Sequence, residues 1–159
     1  MSLNVRSACV WVALITVFLS SGPSLAQEKK HYINRPLGFK LEYPADYSVK
    51  TIGSAIVFSS SAADKTFAFS PSINIVVVDL GSEPQDLDTF YTQSKEALER
   101  SFGGVKFIED KKDKLDGVNA YRLEYKSRQK KADFKFLQVM CIRKTKAYVL
   151  TYTALQEQY

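Results

Sequence analysis

Histidine and cysteine are nearly missing from this sequence, which has one of the first and two of the second among its 159 residues. A zinc site needs several such ligands close together, whereas His31 and Cys141 stand 110 positions apart. Ser/His/Asp or Cys/His catalysis needs a histidine fixed in a packed site. His31 falls instead where a flexible, solvated leader is expected. No glycine-rich phosphate loop follows a strand, since Gly103-Gly104 comes after a helix and on the wrong side of it for an anion. The acids are scattered without the spacing that paired carboxylates would need. Nor is there a recognisable nucleic-acid-binding motif. These absences remove the usual catalytic constellations, and the chain is not expected to be an enzyme.

Long apolar runs are also scarce. The one present is "VWVALITVFL", residues 10–19, about half the length of a permanent membrane span. It is followed by "SSGPSLA", whose Ser24 and Ala26 occupy the minus-three and minus-one positions of a signal peptidase site. We therefore expect residues 1–26 to be a secretory signal peptide and 27–159 to form one domain, with no integral membrane segment after cleavage. Cys9 would leave with the signal. Cys141, in "LQVMCIRK", would then have no internal partner, so a core rather than a disulfide must hold the fold. Such a buried thiol usually behaves as a small hydrophobe. The expected location is the periplasm or the extracellular space.

What is present is alternation. In "GFKLEYPADYSV", Phe39, Leu41 and Tyr43 alternate with Lys40 and Glu42, a half-buried strand that ends in a Pro44/Asp46 turn. "SAIVFSSS" reads as a second strand. "SINIVVVDL" is evenly apolar and β-branched, as a strand covered on both faces would be. From Leu87 to Phe102 the period changes to three and four residues, giving a helix capped by Asp86 or Ser82 and ended by Gly103-Gly104. Four strands follow, the first two joined by Asp116-Gly117, a tight-hairpin signal. Short turns make this meander antiparallel, so the fold class is α+β, a helix packed on an antiparallel sheet. "TALQEQY" looks like the cap and first turn of a further, truncated C-terminal helix.

The formal charge is +5, and the lysines gather beside turns. Lys111, Lys112, Lys114, Arg128, Lys130 and Lys131 cluster at two of them and offer a surface for an acidic protein partner. Glu83, Asp86 and Asp88 in "EPQDLD" are oxygen ligands that could hold Ca²⁺, although acids at a helix N-terminus are expected from capping alone. A periplasmic small-molecule or metal-ion binder, with a pocket between helix and sheet, is the alternative to a docking module.

The order of "GFKLEYPADY", "INIVVVDL", "DLDTFYTQSKEALERSF", "LDGVNAYRLEY" and "AYVLTYTA" resembles the PsbP-like family, named for an extrinsic subunit of the photosystem II oxygen-evolving complex. The resemblance runs from about Tyr32 to Tyr159. It implies an antiparallel sheet of six to seven strands between helices, an α/β/α sandwich that works by docking on a membrane protein complex rather than by catalysis. It also implies support of calcium and chloride retention in the photosynthetic members, and a thylakoid lumen location if the source is an oxygenic phototroph. This sequence departs from those members in its plain secretory leader, in Gln27 where cyanobacterial relatives commonly have a lipidated cysteine, and in the lack of histidines. No histidine metal site is carried over, and calcium rests on the resemblance alone.

Overall fold

The computed structural model describes residues 10–12, 28–61, 69–82, 85–102, 104–129 and 131–159. The expected cleavage site at Ala26 lies outside them. The chain divides into two compact units, Met1–Ala45 and Asp46–Tyr159.

In the first unit, β2 (Lys29–Asn34) pairs antiparallel with β3 (Phe39–Pro44), and β1 (Val10–Val12) runs parallel to β3 on its other side. The β2–β3 turn is closed by Asn34, whose Oδ1 accepts from the Leu37 amide at 3.0 Å. Phe39, Leu41 and Tyr43 are buried, as their alternation requires. His31 is therefore not in a loose leader. It stands on β2 with a 67% exposed side chain, and its Nδ1 is 3.7 Å from Glu42. This strand was illegible because three of its first residues are Lys29, Lys30 and His31, which carry no inward face.

The second unit is a seven-stranded antiparallel sheet in the order β4-β5-β6-β10-β9-β8-β7. Its strands are β4 (Ser48–Ile52), β5 (Ala55–Ser59), β6 (Ser72–Asp79), β7 (Lys106–Leu115), β8 (Val118–Gln129), β9 (Ala132–Arg143) and β10 (Lys146–Leu155). The strand at Phe39–Pro44 expected to open this sheet belongs to the smaller one, and β4 takes the edge instead. The meander from β7 to β10 is as expected. Asp116 and Gly117 both have positive φ, 51° and 78°, the pair of left-handed residues that a two-residue hairpin turn demands.

Between β6 and β7 lies α1 (Leu87–Ser101), capped by Asp86, whose Oδ1 accepts the Thr89 amide at 2.8 Å. The helix lays Tyr91 on Leu123, Tyr125, Phe136 and Met140 of the sheet, with Phe90, Leu98 and Phe107 around them. Tyr125 and Phe136 stack at 4.7 Å between centroids. The strand covered on both faces is β9, not β6: Phe136 to Cys141 are buried at six successive positions, while β6 buries Ile75 alone. The helix rests on β9, so β9 has neighbours on the side where β6 is only half covered. At the C-terminus, Thr153 to Leu155 continue β10 and Gln156–Gln158 form a single 3-10 turn, so the first half of "TALQEQY" is strand and the helical turn that follows is 3-10 rather than α.

Leu123 is fully buried in the helix-facing cluster. Leu123→Ala is expected to cost about 3 kcal/mol in urea unfolding, the transfer and cavity terms together. A loss below about 1 kcal/mol, the level of a relaxed surface site, would place the core elsewhere.

Candidate functional site

The Asp116-Gly117 turn fixes the register of β7 against β8, so counting outward from it sets Lys112 opposite Tyr121 and Asp110 opposite Leu123. These two β7 side chains share the sheet face that α1 covers. The first three turns of the helix bring Asp88, Tyr91 and Lys95 onto them. Tyr91 and Tyr121 stack with centroids 3.9 Å apart. Asp110 accepts hydrogen bonds from the Tyr91 hydroxyl and, at 2.6 Å, from Lys95 Nζ. Lys95 Nζ also sits 4.6 Å from the Phe107 ring centroid. Asp88 accepts from the Tyr121 hydroxyl at 2.9 Å and from Lys112 Nζ at 3.1 Å.

Where helix and hairpin diverge they leave an open cleft of about 720 Å³, lined among others by Asp86, Asp88, Lys112, Asp113, Lys114 and Tyr121. Its charges are firmly set. Hydrogen bonds from Tyr121 and Lys112 hold Asp88 below the usual carboxylate range, and the bond to Asp88 raises Lys112. Thr89 lowers Asp86 through its hydroxyl and amide. Burial pushes Asp110 up, but the bonds from Lys95 and Tyr91 and the Lys95 charge outweigh it, and Asp110 is lowered. Tyr91 is raised, by burial first and then by Asp110. Burial likewise takes the Cys141 thiol up to about 11, so it stays protonated at neutral pH. Each of these groups has moved away from pH 7, whereas acid–base catalysis needs movement toward it.

The six basic residues singled out in the sequence do not make one surface. Lys112 and Lys114 line the cleft. Lys111 points to the opposite sheet face, 2.7 Å from Glu109. Arg128, 4.0 Å from Asp133, and Lys131, beside a smaller pocket of about 240 Å³, lie at the far end of β8. Lys130 lies outside the described residues. The positions opposite Lys111 and Lys114, which are Arg122 and Asn119, are separated from Arg128 by about 20 and about 30 Å of strand. Of the three candidate calcium ligands, Glu83 lies outside the described residues. Asp86 is committed to the helix cap, and Asp88 to Tyr121 and Lys112, so a cation there would have to displace them. The sequence reading missed Tyr91, Lys95, Asp110 and Tyr121. Their signal was there: Tyr91 and Lys95 are four apart on the helix, and the hairpin register supplies the rest.

A model of the DcrB family matches residues 40–158. The chain belongs to the DcrB family. No curated protein matches this DcrB-family chain. Solved structures that resemble it extend the fold. Cyanobacterial PsbP (CyanoP) from Synechocystis has a TM-score of 0.62 at 15% identity over 89% of this chain and 88% of its own. The Saccharomyces cerevisiae Ran-binding protein Mog1p has a TM-score of 0.58 at 8% identity over 82% and 78%. LpqN of Mycobacterium tuberculosis, involved in cell envelope biogenesis, has a TM-score of 0.55 at 12% identity over 84% and 75%. The PsbP-like resemblance thus holds as a shared fold, and the family is DcrB. Among the described residues no helix is long and apolar enough to cross a membrane.

Because the folded pKa of Asp110 is depressed, its stabilisation is present above the unfolded value near 4 and disappears as pH falls through the folded one. The stability gap between wild type and Asp110→Asn is therefore expected to be constant above about pH 6 and to close below about pH 4. Urea midpoints over a pH series measure it, and a gap independent of pH would contradict the assigned ionisation.

Proposed function

We propose that this DcrB-family chain is an exported, non-catalytic interaction module that docks on a protein complex at a membrane surface. The observation that carries the reading is that the charged groups of the α1 cleft are engaged with one another, Asp88 by Tyr121 and Lys112 and Asp86 by Thr89, with their ionisations shifted away from neutrality. Such a site recognises; it does not move protons. Of the six basic residues singled out in the sequence, Lys114 and Lys131 form no ion pair among the described residues and offer charge to an acidic partner, one toward each end of β8. The secretory leader expected from the sequence and the fold shared with LpqN support an envelope location, and Mog1p is a Ran-binding protein on the same fold. In an oxygenic phototroph the partner would be photosystem II. Any calcium dependence would then belong to the complex, since Asp86 and Asp88 already have protein donors. The alternative, a small-molecule binder, draws on the same open cleft.

The test is a pull-down with the tagged exported chain against solubilised membranes of its own source, at low and high salt. Retention of a complex at low salt, released at high salt and weakened by Lys114→Glu with Lys131→Glu, is the expected result. Retention indifferent to salt and to both reversals would remove these lysines, and the docking mode with them.

A further inference from the structure

Three lysines stand in register across three neighbouring strands. Lys106 of β7 is directly opposite Lys126 of β8, and Lys126 is directly opposite Lys135 of β9. They share the sheet face away from α1, because Phe107 and Tyr125, one step along, face the helix cluster. Like charges facing each other at about 5 Å are destabilising, so folding alone gives no reason for the row. Lys135 is neutralised by Glu124 and sits 3.9 Å from the centre of the Tyr159 ring. The other nearby acid, Glu109, is taken by Lys111 and Arg122. Lys106 and Lys126 form no ion pair among the described residues, and Arg128, two positions beyond Lys126, is 70% exposed with Asp133 only at 4.0 Å.

The row reaches the sheet margin, since β7 is the edge strand. There a β-bulge between Phe107 and Glu109 sets Ile108 out, 52% exposed. Flexible ammonium groups on a flat strand surface, rimmed by an exposed aliphatic side chain, suit a diffuse array of negative headgroups better than a shaped anion.

We propose that Lys106, Lys126 and Arg128, with Ile108 at the margin, are the contact of this chain with an anionic lipid bilayer. This contact is the chain's own and stands whether or not a protein partner is found. Co-sedimentation of the exported chain with phosphatidylcholine vesicles, with and without phosphatidylglycerol, tests it. Wild type is expected to sediment with the anionic vesicles alone and to be released by salt. Each lysine near such a surface is worth about fivefold, so Lys106→Gln with Lys126→Gln should lower partitioning about thirtyfold. The melting temperature of that variant should be unchanged or higher, because the opposed charges are gone. Lys111→Gln, at a lysine already held by Glu109, should matter far less. Equal sedimentation of wild type and the double variant would overturn the proposal. So would binding to soluble polyglutamate without binding to anionic vesicles, which would mark the row as a site for an acidic protein.

Discussion

The stacking of Tyr91 on Tyr121 ties the helix to the edge of the sheet, and much of the second unit depends on it. The strand order sends the chain from β6, third in the sheet, across to β7 at the far margin, and α1 is the crossing. An edge strand has hydrogen bonds on one side only, so β7 is held by β8 and by whatever the helix supplies. The helix sets Tyr91 on Tyr121 of β8, and two carboxylates, Asp88 of the helix and Asp110 of β7, each bridge helix and hairpin. The magnitudes rank these. An ion pair as exposed as Asp88–Lys112 is screened by solvent and contributes little. An aromatic pair adds about 1 kcal/mol beyond the area it buries, and a buried ring itself more. The rings hold the helix, and the charges fix where along the hairpin it sits.

That division also sets the ionisation of the site. Carboxylates that orient a helix must stay ionised, and lysines that reach them must stay protonated, so the same bonds that set the geometry drive these groups away from neutral pH. Enough charge remains at the surface for recognition. It is spread over two ends and one face of the sheet, with the acids consumed in local pairs and several lysines left over.

Much of this was legible in the sequence. Asp116-Gly117 gave the hairpin, and with it the register that places Lys112 beside Tyr121. The cap was legible as Asp86 or Ser82, and Asp86 takes it. Two strands escaped, β2 and β4, because "KKHYIN" and "SVKTI" each turn too few side chains inward to show alternation. The apolar run in β6 looked like the most covered strand, but coverage is set by where the helix lands, which no local pattern states. The six basic residues were read at two turns, and because successive turns of a meander lie at opposite ends of the sheet, they do not share one surface. Lys106 and Lys126 stayed hidden because their opposition appears only when three strands are aligned.

The most direct measurement is hydrogen exchange on the exported chain, free and bound to membranes of its own source. The account predicts new protection along β7 and β8, residues 104–129, with the smaller sheet at residues 28–45 unchanged. Protection confined to that smaller sheet, or no change anywhere on binding, would contradict it.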